Sequence, residues 1–271
     1  MAFRVSKGQR KGTLLTLTWI ALLVLGIAAA GGVVIYKLVF GKSDVFDPST
    51  LCPAAGSHGH VVLLVDRSDP LTFTQRKDFE VLFRDVLISS VPKGHLLSVY
   101  ALADDFKATA EPLMEMCNPG DGRDARELDG NPAMLRKAFD EKYLKPLLAR
   151  RDELITDMPG KASPILEMIQ LAGITGFNRR AVPEARRLIV VSDFIQNTPE
   201  LPMYKVGIPE YESFRSTAYG KKVLADLKDV KVELRMLLNR PDLQTEKLLK
   251  FWQEHIRASG GRVVLYEPVK G

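Results

Sequence analysis

The chain has 271 residues, is 46% apolar and 26% charged, and carries a formal net charge of +5; those proportions exclude a wholly disordered or collagen-like chain. Its two cysteines exclude a disulfide-dense scaffold and a four-cysteine zinc ribbon. Six of the 38 basic residues (Arg4, Lys7, Arg10, Lys11, Lys37 and Lys42) lie in residues 1–42, which hold no Asp or Glu, leaving 32 basic against 33 acidic residues, a net of −1, in the remainder. The basic balance therefore belongs to one end, and the body lacks the charge of a nucleic-acid-binding domain.

Leu14 to Tyr36 is an uncharged, mostly apolar stretch of 23 residues. As a helix it would be about 35 Å long, enough to span a hydrocarbon core of about 30 Å with slight tilt. Four basic residues precede it and Lys37 and Lys42 follow, an excess that predicts a cytoplasmic N-terminus. Trp19 and Tyr36 sit near its ends, where interfacial anchors belong. A cleaved signal peptide is the rival reading, because Ala28-Ala29-Ala30 supplies small residues, but the apolar run continues through Val33, Val34, Ile35 and Val39-Phe40. The expected organisation is a basic tail over 1–12, a transmembrane helix over 13–40, a linker over 41–59 and an exported domain over 60–271. The short basic N-terminus and compact design look bacterial, which makes the cytoplasmic membrane and the periplasm the expected compartments.

Gly41 to Gly59 is rich in Gly, Pro, Ser and Asp and reads as the linker. His60 to Val65 (HVVLLV) is a continuous apolar run, the pattern of a strand buried on both faces, and it ends at Asp66. Phe79, Leu82, Phe83, Val86 and Leu87 recur with helical spacing. His95 to Ala103 is a second strand; Glu111 to Cys117 is a short third one, and its Pro112 assigns it to an edge. Asn131 to Ile155 is helical with a break at Pro146, and Ser163-Pro164 opens a helix running to about Gly173 with Ser163 as its cap. Arg187 to Asp193 is a strand that again ends in Asp. Lys221 to Leu227 is a helix, Val230 to Leu238 a strand, Thr245 to Ser259 a helix stopped by Gly260-Gly261, and Arg262 to Tyr266 a final strand.

Strands alternating with helices predict an α/β fold, a doubly wound and mostly parallel sheet of Rossmann-like type. Such sheets bind ligands at the carboxyl ends of strands where the topology switches, and Asp66 and Asp193 stand at two such ends. After the first strand comes Asp66-Arg67-Ser68-Asp69-Pro70-Leu71-Thr72. This resembles the Asp-x-Ser-x-Ser motif of von Willebrand factor A (vWA) domains, and the resemblance extends over roughly residues 58–269. It implies a metal-ion-dependent adhesion site formed by Asp66, Ser68, Ser163 and Asp193. Two positions depart from the family pattern: Pro70 stands where the motif has its second Ser, and Ser163 where the family has Thr. Asp69 and Thr72 are the residues available to compensate.

Oxygen-only ligands suit a hard cation such as Mg²⁺, and an incomplete protein shell leaves a place for a partner's carboxylate. The resemblance therefore implies a protein–protein interaction module of an envelope-associated assembly rather than an enzyme. The residues also admit a metal-free scaffold, in which the same side chains only satisfy strand ends and turns. A metal-dependent hydrolase is a further alternative, although the second Asp expected of a phosphoaspartyl enzyme is Ser68. No Gly-x-Ser-x-Gly elbow and no Gly-x-x-x-x-Gly-Lys-Ser/Thr loop occurs. Cys52 and Cys117 are expected to pair at the end of the sheet opposite the aspartates. The long insertion from Asn197 to Thr217 follows Asp193, so Met203, Tyr204, Tyr211 and Phe214 are expected to face a partner.

Overall fold

The computed structural model describes residues 7–40, 46–102, 111–123, 131–155, 162–178 and 185–269. It divides into two units, Met1–Val45 and Phe46–Gly271. The first contains one helix, Lys7–Phe40. Every side chain from Trp19 to Tyr36 is exposed. An apolar surface all round is what a helix in lipid presents, and this one is long and apolar enough to cross a membrane. That is compatible with a single-pass anchor or a signal sequence.

The second unit is built on six strands: β1 (Gly59–Asp66), β2 (His95–Leu102), β3 (Met114–Cys117), β4 (Arg186–Ser192), β5 (Lys231–Leu237) and β6 (Arg262–Val269). Their order in the sheet is β3-β2-β1-β4-β5-β6. All neighbours are parallel except β2 and β3, so the strand beyond Pro112 is the antiparallel edge strand. The apolar run of β1 is divided between two cores. Val62 and Leu64 join Leu188, Val190, Val232 and Leu234 under the helices Ile165–Leu171 and Glu246–Ala258. Val61, Leu63 and Val65 join Leu97, Val99, Ile189 and Val191 against Phe79 and Phe83 of the helix Phe73–Asp85. Helices thus cover both faces, the arrangement that continuous apolar strands require.

Several elements differ locally from the sequence reading. The helix expected over 131–155 runs as Pro132–Phe139, a π-helical turn Asp140–Leu144, Lys145–Ala149 and Arg151–Ile155. Pro146 has no N–H for the regular ladder, and the widened turn precedes it. The helix expected over 221–227 is Ala218–Lys222 instead. Residues 46–58 of the expected linker are folded, whereas 41–45 lie outside the described residues. Asp47 Oδ1 accepts the backbone N–H groups of Ser49 and Thr50 at 2.9 and 2.8 Å, Leu51 is buried, and Cys117 N–H donates to Thr50 O at 2.9 Å. The expected cross-link is present: Cys52 and Cys117 are joined, with Cα atoms 4.7 Å apart. Cys117 pairs with Leu96 at the start of β2, so the bond lies at the end of the sheet opposite Asp66.

Candidate functional site

β1 and β4 are neighbours at the centre of the sheet, and the chain leaves them toward opposite sides, which makes their carboxyl ends the switch point. The pairing of Val65 with Val191 sets Asp66, the last residue of β1, beside Ser192, the last of β4. Ser192 Oγ accordingly donates to Asp66 Oδ2 at 2.7 Å. Asp193 follows at once.

Asp66 is buried and its oxygens accept four hydrogen bonds. Oδ1 receives the backbone N–H and the hydroxyl of Ser68 at 2.9 and 2.7 Å. Oδ2 receives Ser192 and, at 3.2 Å, Ser163 Oγ. Ser68 Oγ and Ser163 Oγ are themselves 3.2 Å apart. Burial raises the Asp66 carboxyl above the usual carboxylate range, against the lowering effect of its serine partners.

Asp193 is held differently. Its Oδ1 accepts Ile195 N–H at 2.9 Å and its Oδ2 accepts the Tyr204 hydroxyl at 2.7 Å; that hydroxyl also lies 3.2 Å from Asp69 Oδ2. A hydroxyl has one proton, so it cannot fully satisfy both carboxylates. Burial, reinforced by the nearby charge of Asp66, pushes Asp193 up to about 8. The next residue, Phe194, sits in the left-handed region at φ 62°, a strained conformation for a bulky residue. It is held there by Trp252, which packs against its ring at 5.5 Å and donates Nε1–H to its carbonyl at 2.8 Å. The resulting turn aims Asp193 back at the site. Gln244 fixes the same corner by donating to the carbonyls of Asp193 and Leu237 at 3.0 and 2.6 Å. Beside the two carboxylates lies a cleft of about 290 Å³ lined by Asp69, Pro70, Tyr204, Asn239 and Arg240.

The chain resembles the solved structure of the SpRpn10 VWA domain at 12% identity, with 79% of this chain and 89% of that one covered and a TM-score of 0.38. No protein-family model matches the chain, and no curated protein matches it.

Of the residues expected at the site, Asp66, Ser68 and Ser163 meet directly and Asp193 stands at the adjoining strand end. Ser163 does not cap a helix. The helix begins at Ile165, and Ser163 exchanges backbone hydrogen bonds of 2.8 and 3.0 Å with Asn197, which turns its hydroxyl onto Asp66. Asp69 reaches the site through Tyr204. Thr72 does not: its hydroxyl accepts Gln75 N–H in a capping box at the start of the Phe73–Asp85 helix. The insertion is packed onto the domain rather than presented to a partner. Met203, Tyr211 and Phe214 are buried, with Tyr211 and Phe214 packed on Phe251, because the short helices Met203–Val206 and Tyr211–Ser216 close the core beside Glu246–Ala258. These three side chains therefore offer no surface to a partner. Only Tyr204 of the four reaches the cleft.

Sequence reasoning missed Ser192, whose signal was the alignment of two strands ending in Val65-Asp66 and Val191-Ser192. It placed Tyr204 in the loop after Asp193 but missed its hydrogen bond to Asp193, which depends on the turn at Phe194. Among the described residues no three His, Cys, Asp or Glu side chains converge to hold a metal ion by themselves. The Asp66–Ser68–Ser163 side fits a hard cation, since all its donors are oxygens and the two serine hydroxyls keep lone pairs while donating to Asp66. On the Asp193 side, the Tyr204 hydroxyl occupies the carboxylate.

Proposed function

We propose that this chain is a membrane-tethered protein-interaction module that binds its partner at the carboxyl ends of β1 and β4. In this reading Asp66, Ser68, Ser163 and Asp193 hold Mg²⁺, which supplies a positive charge to a carboxylate of the partner. The observation that carries the reading is the convergence of buried Asp66 and Asp193 at the topological switch point, where α/β sheets place their ligands. The apolar helix is taken as an anchor with its basic end in the cytoplasm and the sheet domain outside it. The disulfide supports that side assignment, because such bonds persist in oxidising compartments. Envelope-associated assembly in a bacterial periplasm is the setting this implies, and the role is binding rather than turnover.

A metal-free scaffold is the second reading. It is favoured by Asp66, whose four hydrogen bonds already satisfy the carboxylate. Thermal unfolding of the full chain in detergent with increasing Mg²⁺ separates the two. The cation reading expects a midpoint that rises with Mg²⁺ in the wild type and no rise in Asp66→Ala. A rise that survives Asp66→Ala puts the cation elsewhere and overturns the reading.

A further inference from the structure

Tyr204 lies outside every motif that carries the resemblance, yet it makes the closest side-chain contact to Asp193. Its hydroxyl is 2.7 Å from Asp193 Oδ2 and 3.2 Å from Asp69 Oδ2. The Arg240 guanidinium stacks over its ring at 5.7 Å, and Arg240 is fixed in turn by Asp242 through contacts of 2.9 and 2.7 Å. Tyr204 belongs to a four-residue helix, Met203–Val206, whose first residue is buried in the core and whose last, Val206, is exposed. The ring is thus clamped between the cleft wall and two carboxylates.

From this geometry we infer that Tyr204 is a built-in competitor for the site. Its hydroxyl donates to the Asp193 oxygen that a divalent cation would use, so cation binding competes with this hydrogen bond. The inference rests on the cation reading above and adds the residue that sets its affinity. The physical basis is direct. A hydroxyl donating to a carboxyl oxygen engages one of its lone pairs and sets its proton beside that oxygen, so a cation approaching the same oxygen competes with the hydrogen bond. Asp69 then becomes an available second carboxylate at the rim, on the side where Pro70 removes a hydroxyl. The Asp66 side needs no such change, because its serines need only rotate their hydroxyls.

The test is the affinity of the full chain in detergent for Mg²⁺ and for Mn²⁺, read by calorimetry and by the paramagnetic signal of free Mn²⁺. Tyr204→Phe removes one oxygen and keeps the ring under Arg240. The expected result is binding about tenfold tighter than in the wild type, the scale set by one lost hydrogen bond. Asp193→Asn in the Tyr204→Phe background should abolish that gain, which ties it to the proposed oxygen. Equal affinities in wild type and Tyr204→Phe overturn the competitor role and leave the cation site standing. Absence of binding in both overturns the competitor role and the cation reading together. A matched far-ultraviolet spectrum and unfolding midpoint show that the variant is folded; if it is not, Arg240→Ala loosens the ring without altering Asp69 or Asp193 and should tighten binding in the same direction.

Discussion

Asp193 keeps a proton in the folded chain that it loses when unfolded, because burial and the neighbouring Asp66 charge raise it from 3.8 to about 8. Between those values the native state binds more protons than the unfolded one, so stability falls as pH rises and the loss is complete above about 8. Asp193→Asn mimics the protonated side chain and should flatten this slope, as measured by denaturant midpoints across the window. His255 acts with the opposite sign. It is fully buried beside Tyr211 and Trp252, neither ring nitrogen has a hydrogen-bond partner among the described residues, and burial lowers it from 6.5 to about 4. Here the unfolded state binds the extra proton, so stability is lost as pH falls from 6.5 toward about 4. His255→Phe removes the two unpaired nitrogens and should gain about 1 kcal/mol or more, with the acid-side loss abolished in urea melts. Together the two groups cancel below pH 6.5 and leave the Asp193 slope above it.

The strands were the most legible elements, for a physical reason. A strand buried on both faces must be apolar at successive positions, and Val61 to Val65 and Leu188 to Val191 meet that demand within a short span. The aspartates were legible with them, because a charge that ends such a run stands at the strand's carboxyl end. Helix ends and loops were less legible. Ser163 has the sequence of a cap, yet its backbone pairs with Asn197, a contact across 34 positions that no local rule contains. Met203, Tyr211 and Phe214 lie in a polar, proline-rich stretch that reads as surface, and only the gap beside Phe251 explains their burial. The folded segment from Phe46 to Cys52 was hidden by a composition typical of linkers. Its attachment by Cys52–Cys117 closes a separation of 65 residues, worth about 4 kcal/mol of unfolded-state entropy. The Cys52→Ser, Cys117→Ser double variant should lose stability of that order in denaturant melts. Because the bond lies at the opposite end from Asp66, any Mg²⁺ response should persist at temperatures where the variant is folded.

At the scale of the molecule, the net charge of +5 resolves into a basic, apolar helix-forming end and a nearly neutral sheet domain. The division followed from counting charges by position, since a span without charge cannot belong to the same surface as a balanced one. The sheet order was legible only as a class: alternating strands and helices imply parallel neighbours, whereas the placement of β1 beside β4, which creates the site, depends on crossovers that local periodicity does not encode.

When the domain is pulled from its N-terminal side, the Cys52–Cys117 bond decides where the load goes. Tension entering at Phe46 passes at Cys52 directly to Cys117, so the covalent path bypasses β1 and β2, which lie within the closed loop. The strand carrying Asp66 therefore bears no backbone tension while the bond is intact. Pulling the sheet domain between Phe46 and Val269 should release a contour length shorter by about 220 Å than in the cysteine-free variant, at roughly 3.4 Å for each of the 65 bypassed positions. Equal lengths would mean that the force runs through β1. Oxidation thus spares the strand that carries Asp66 when load enters from the N-terminal side.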